Sequence, residues 1–285
     1  AKMKFLCRMP VEVCSIASGS NGNCYYVGNE NEAILVDAGV SCKEIELRMK
    51  RAGLSLQKVK AVFVSHEHTD HISGLPVLAK KHQLPIFIST GTLKGSRLWF
   101  DKSLLNHFAA DEEIIIGDLC IQPFRKLHDA ADPYSFTISC NQVKIGVITD
   151  IGRACNNVVH HFSQCHAVFL ESNYDEQMLE KGRYPFVLKN RIRNGYGHIS
   201  NKQALELFQK HRSPSLTHLF LSHLSYNNNC PQLVEDLFAP HAGGVKVIVT
   251  SRKNESEVHT VAALSKLQPN NFDAFVQQPQ LTFSF

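Results

Sequence analysis

The segment 65–74, SHEHTDHISG, packs His66, His68, Asp70 and His71 into six residues directly behind a short β-rich run, KAVFVS at 60–65. Three imidazoles and a carboxylate on one tight turn call for a cation, and neutral imidazole with carboxylate is the ligand chemistry of zinc, iron or manganese. Side chains alternate in direction along a strand, so a turn at its end can aim several of them at one point. A buried strand that delivers a ligand from its C-terminal end is also a rigid way to build such a site. The bland alternative is a solvated loop with chance histidines, but H-x-H-x-D-H is long and specific for a short motif.

The surrounding chain has the punctuation of one mixed α/β domain, predicted over 1–267, with a Gln/Pro/Asn-rich tail at 268–285. Strands are predicted at 11–17, 23–28, 33–39, 60–65, 85–89, 113–117, 119–124, 134–140, 143–150, 167–172, 217–222 and 245–251. Helices are predicted at 42–52, closed by Gly53, near 75–82 behind Gly74 and Pro76, at 201–211 with Ser200 or Asn201 as N-cap, and at 231–239. Strand runs alternate with helices near both ends, which favours two sheets sandwiched by outer helices over an all-β barrel. The 285 residues are 44% hydrophobic and 20% charged, which excludes intrinsic disorder, and the net charge of +4 is too mild to prove a nucleic-acid partner. Nine cysteines, an odd number without a C-x-x-C pair, read as buried small residues in a reducing cytoplasm. No apolar run has the length of a membrane span, and AKMKFLCRMPVEV lacks the apolar centre of a secretory leader.

The H-x-H-x-D-H motif behind an apolar strand resembles the metallo-β-lactamase superfamily, which implies a four-layer αββα sandwich of two mixed sheets flanked by helices. LVDAG, KLHDA, GVITD and LFLSHLS then stand where that family carries its other motifs. The resemblance implies that Asp37 supports the metal loop from behind, and that one metal is held by His66, His68, His128 and Asp150. The second would be held by Asp70, His71, His223 and the shared Asp150. SIASGSNGNCYYVG, ILVDAGVSCKEIE, GHISN and LSHLSYNNN are similar to the YycJ/WalJ family within the superfamily, whose members are described as DNA exonucleases acting from the 5′ end.

Two metals can share a bridging hydroxide as nucleophile and clamp both oxygens of an in-line phosphodiester displacement. That makes Asp70 catalytic as well as ligating. His198 of GHIS resembles the proton-donating or phosphate-holding histidine of the tRNase Z and RNase J nucleases, and Glu171 resembles the acid that orients it. Ser200 can cap the following helix or donate to a phosphate, and the SGSNGNC loop offers Ser18, Asn21 and its amides, although a plain turn explains that composition equally well. KGRYPFVLKNRIR, 181–193, brings Lys189, Arg191 and Arg193, with Tyr184 and Phe186 interleaved for stacking, directly before His198. Read alone, it could be an ordinary solvated basic face.

The expected function is a dinuclear metal-dependent phosphodiesterase, a cytoplasmic 5′-to-3′ DNA exonuclease using zinc, manganese or iron, with RNA as the other substrate considered. RNA processing is less favoured because only 47 residues separate Asp150 from His198, which leaves no room for the large inserted domain of RNase J-type relatives. The rival readings are a small-molecule hydrolase acting on a thioester, lactone or cyclic nucleotide, and a non-catalytic binding module. A lactamase role is disfavoured because Asp150 stands where lactam-cleaving zinc enzymes typically place cysteine.

Overall fold

The computed structural model describes residues 10–263, so the predicted tail at 268–285 and the start of the leader-like segment lie outside the described residues. In the first half, β1 (Val11–Ala17), β2 (Cys24–Gly28) and β3 (Ala33–Val36) form an antiparallel meander. The parallel strands β4 (Val59–Phe63), β5 (Ile86–Ile88) and β6 (Leu105–His107) extend it. The second half does the same. There β7 (Ile114–Ile116), β8 (Leu119–Arg125), β9 (Tyr134–Cys140) and β10 (Val143–Ile148) are antiparallel, and β11 (Ala167–Glu171), β12 (His218–Ser222) and β13 (Lys246–Val249) follow in parallel.

The last strand, β14 (His259–Val261), returns to pair antiparallel with β1. The two seven-stranded sheets therefore run β14-β1-β2-β3-β4-β5-β6 and β7-β8-β9-β10-β11-β12-β13, with one pairing pattern in both. No repeat is visible in the sequence, because the match is of strand directions and not of residues.

The helices are α1 (Cys42–Arg51), α2 (Thr69–Ile72), α3 (Leu75–His82), α4 (Thr90–Gly95), α5 (Asn156–Phe162), α6 (Glu176–Lys181), α7 (Phe186–Arg193), α8 (Asn201–His211) and α9 (Pro231–Phe238). Alternate residues of the strands feed two different apolar layers. Ile34 and Val36 of β3 and Phe169 of β11 meet between the sheets, where Tyr25 and Phe169 lie 4.9 Å apart and Phe63 meets Phe136 edge-on at 5.7 Å. Leu35 of β3 faces outward to Ile45 and Met49 of α1 and Leu75 and Leu78 of α3. Val168 and Leu170 of β11 face Phe162 of α5, Phe208 of α8 and Phe238 of α9. Three apolar layers inside four structural ones explain why the central strands read as unbroken hydrophobic runs. This is the expected αββα sandwich, and no helix among the described residues is long and apolar enough to cross a membrane.

The predicted elements correspond closely to the observed ones, with the short α2, α4, α5, α6 and α7, as well as β6 and β14, added. Ser200, and not Asn201, caps α8: its hydroxyl accepts the Gln203 N–H and the Gln203 side chain accepts the Ser200 N–H, a reciprocal cap that stabilises a helix start by about 1 kcal/mol.

Candidate metal centre

Strand ends place the polar side chains. Asp37 follows β3, Asp150 lies two residues beyond β10 and His223 follows β12. All three sit in the left-handed backbone region, at φ of 62°, 54° and 57°. Such conformations cost non-glycine residues energy and persist where the surroundings enforce them. Here the enforcement is visible. The Asp37 N–H donates to Phe63 O, and the His223 N–H donates to Ser18 Oγ at 2.8 Å.

The motif after β4 is held from behind. Asp37 Oδ1 accepts the Ser65 N–H, and Oδ2 accepts the Ser65 hydroxyl at 2.8 Å and the His71 Nδ1–H at 2.7 Å. His71 is thereby fixed with Nε2 pointing inward, 3.3 Å from Asp150 Oδ2 and 3.5 Å from Asp70 Oδ2. His128 is fixed in the same way: its Nδ1–H donates to Gly197 O at 2.8 Å, and its Nε2 turns inward to 3.4 Å from His68 Nδ1. His223 Nε2 lies 3.4 Å from Asp70 Oδ2, and its Nδ1 lies 3.1 Å from Glu171 Oε1. Gly39 closes the loop against this motif, because a Cβ there would stand 1.6 Å from the Asp70 carbonyl oxygen.

These side chains fit a pair of metal ions. His66, His68 and His128 converge within 4.8 Å of one another, as do Asp70, His71 and His223, and the group His66, His71 and Asp150 joins the two. His66 Nε2 is fully buried with no hydrogen-bond partner among the described residues, the mark of a lone pair awaiting a ligand. The donor set is imidazole and carboxylate, which suits zinc, manganese and iron alike.

The charge balance among these side chains points the same way. Burial alone would depress His223, but Asp150, Asp70 and Glu171 raise its pKa to about 10. Burial is likewise outweighed at His71, which Asp150, Asp70 and Asp37 hold well above its ordinary value. Protons on these two rings stand where cationic charge is needed. At His66 burial, with His71 and Lys126, outweighs the Asp150 carboxylate and pushes the ring well down.

Beside the clusters, His198 Nδ1–H donates to Glu171 Oε1 at 2.7 Å, and Glu171 Oε2 accepts the Ile151 N–H at 2.9 Å. Glu171 is fully buried, whereas the His198 side chain is 22% exposed and faces the cavity. Burial opposes ionisation of Glu171, yet His198 and His223 bring it to about 2, so it stays a carboxylate. The cavity, of about 240 Å³, is lined by His68, Asp70, Asp150, His198 and His223 on its floor, and by Tyr184, Leu188 and Arg191 on its rim.

Several expected substrate contacts are placed differently. Ser18 is buried, its hydroxyl taken by the His223 N–H and Tyr25, so it positions His223 and faces no ligand. Ser200 is buried in its cap and donates to Glu176 Oε1. Asn21 is exposed, and its Oδ1 accepts from Arg252. The basic segment is partly neutralised within the chain: Arg191 pairs with Asp129, Arg193 with Glu180, and the Lys189 ammonium donates to the Glu180 carbonyl.

Sequence reasoning missed Asn23, whose Nδ2 donates to Asp70 Oδ2 at 3.3 Å, and Asn173, which holds the His223 carbonyl at 2.8 Å. It also passed over Lys126, buried beneath the site and bonded to Thr149 O at 2.7 Å. Each adjoins a quoted motif, but only the fold shows where its side chain goes.

The sequence profile of the Metallo-beta-lactamase superfamily matches residues 17–135. Over 226 residues the chain is 35% identical to "Exodeoxyribonuclease YycJ" of Bacillus anthracis, covering 76% of this chain and 84% of that one. It is 29% identical over 223 residues to "Exodeoxyribonuclease WalJ" of Streptococcus pneumoniae, covering 76% and 83%. Among solved structures, the metallo-beta-lactamase fold protein YhfI of Bacillus subtilis superposes with a TM-score of 0.68 at 18% identity, over 88% of this chain and 99% of that one.

Proposed function

This chain belongs to the metallo-β-lactamase superfamily, and from that membership, with its likeness to YycJ and WalJ, we propose that it is a 5′-to-3′ DNA exonuclease with a dinuclear metal centre. The observation that carries the reading is the Glu171–His198 pair at the edge of the His/Asp clusters. A metal-assisted thioester hydrolase expels a thiolate that leaves without a proton, whereas a phosphodiester expels an alkoxide that needs one.

In this reading His66, His68, His128 and Asp150 hold one ion, and Asp70, His71, His223 and the shared Asp150 hold the other. When bound, the two ions supply the Lewis acidity that activates water and neutralises charge on the phosphodiester. His198, fixed at Nδ1 by Glu171, presents Nε2 and hands a proton to the departing 3′-oxygen. Glu171 keeps that ring in one tautomer and orientation, held in turn by the Ile151 amide. Arg191 and Arg193 receive the strand's phosphates in exchange for their internal carboxylates, Tyr184 adds a ring on the rim, and Lys189 and Asn21 supply further contacts. A single catalytic domain, working in the cytoplasm, carries this activity.

The test is a time course on duplex DNA labelled at the 5′ or the 3′ end, with added manganese or zinc. Expected is release of labelled mononucleotide from the 5′ end, abolished in Asp70→Ala. In His198→Ala both metals should stay bound while turnover falls about 10²–10⁴-fold, the usual contribution of a positioned acid. Full activity of His198→Ala, or no cleavage by protein shown to carry two metals, overturns the reading.

A further inference from the structure

A second group of ligand-type side chains lies away from the cavity, on the outer face of the first sheet. Cys42 and Glu46 stand one helical turn apart on α1, and His82 closes α3 beside them. Their donor atoms lie within 4.8 Å of one another. Three donors converge on a single carboxylate oxygen, Glu46 Oε1: His82 Nε2 at 2.6 Å, Lys81 Nζ at 2.7 Å and Cys42 Sγ at 3.4 Å. One oxygen surrounded by three protons is a place where positive charge collects. Cys42 is buried, while Glu46 and His82 are partly open, so an ion can enter from solvent and find a sheltered sulfur.

We propose that Cys42, Glu46 and His82 form a third metal site, taking one zinc ion through Cys42 Sγ, a Glu46 carboxylate oxygen and His82 Nε2, with a water completing the tetrahedron.

Thiolate, imidazole and carboxylate together favour zinc among the common ions. On binding, Cys42 gives up its thiol proton to the buffer and His82 presents Nε2 as a lone pair, with its ring proton on Nδ1. Lys81, whose side chain is 56% exposed, swings into water. Burial and the adjoining Glu46 carboxylate raise the Cys42 thiol to about 11, so without an ion it stays protonated; a cation reverses both causes. The site lies at the last turn of α3, the cation-favouring end of a helix. The ion ties α1 to α3, and α1 begins directly behind the Gly39–Val40–Ser41 loop that abuts Asp70.

The experiment uses cobalt(II) as a spectroscopic substitute for zinc, titrated into the metal-stripped full chain. The residues of the main site are all histidine, aspartate or glutamate, so a sulfur-to-cobalt charge-transfer band in the near ultraviolet reports the third site alone. Expected are three bound ions and a band saturating with one of them. In Cys42→Ser the band and one ion are lost while two ions and DNA hydrolysis remain; in His82→Ala the band weakens or needs more cobalt. Circular dichroism of both variants checks that they fold. Absence of the band in the folded wild-type chain, or its persistence in Cys42→Ser, overturns the proposal and leaves the reading of the main site untouched. A protein that shows the band but binds no second pair of ions refutes the main site instead.

Discussion

Asp37 touches one candidate ligand directly, His71, and reaches a second, His66, only through the Ser65 hydroxyl, which makes it a sharp probe of how the centre is held. In Asp37→Asn the size and the left-handed backbone (φ 62°) are both tolerated, since asparagine visits that region readily. The donor pattern fails. Asp37 accepts three hydrogen bonds of 2.7–2.8 Å, from Ser65 N–H, Ser65 Oγ–H and His71 Nδ1–H, and an amide has only one oxygen to receive them. With the oxygen kept toward the Ser65 N–H, the amide NH₂ faces Nδ1. The ring must then carry its proton on Nε2, where the metal needs a lone pair. A lost hydrogen bond to a charged group costs about 1.5–3 kcal/mol. Loss of such an outer partner weakens metal binding by about 10–100-fold, and 100-fold is about 2.7 kcal/mol, so the two figures agree. The assay is competition against a chromogenic chelator, read as two successive constants. Expected is a loss of one to two decades in one constant, the other staying within about threefold. Unchanged constants, or equal loss in both, would refute the tautomer argument.

Gly39→Ala should cost more than a usual surface change, because its Cβ would enter the Asp70 carbonyl; expected is a metal content below two ions and a lowered melting temperature, and a normal protein would show the loop to be pliable. Loading the metal-free protein should release about two protons near neutral pH, from His71 and His223, measured by calorimetry in buffers of different ionisation enthalpy; no release refutes their protonation. For the metal-free protein the sign runs one way: His223 is raised from 6.5 to about 10, so its stabilising contribution is complete below pH 6.5 and is lost as pH rises through 10, which melting curves across that range test. Replacing Arg191 and Arg193 with glutamine should flatten the salt dependence of DNA binding by about 0.9 for each that reaches a phosphate, and an unchanged slope would leave both as internal ion pairs with Asp129 and Glu180.

The central strands were legible because burial on both faces writes itself as unbroken apolar runs, and α8 because its period and its cap agree. His66, His68, Asp70 and His71 were legible because they are contiguous. His128, Asp150 and His223 were found through resemblance, since nothing local distinguishes a histidine that donates to Gly197 O from one in solvent. For Ser18 and Ser200 the sequence left a turn or a cap beside a phosphate contact, because composition marks a turn or a cap and only packing decides which way a hydroxyl points. The ion pairs of the basic segment were not legible because Asp129 and Glu180, its partners, lie outside it. Strand β14, three residues long, carries no period of its own and exists because β1 offers it an edge.

The matching pair of sheets has a consequence for how the molecule comes apart. Asp37, His66, His68, Asp70 and His71 belong to the half that ends with β6, and His128, Asp150, Glu171, His198 and His223 to the half that begins with β7. Neither half owns a complete constellation, so metal capture reports the docking of two pieces, much as a fragment-complementation reporter does. β14 runs the other way, stitching the end of the second half to the opening strand of the first. A single cut in the connection between β6 and β7 should thus leave two fragments that metal reunites and a chelator lets drift apart.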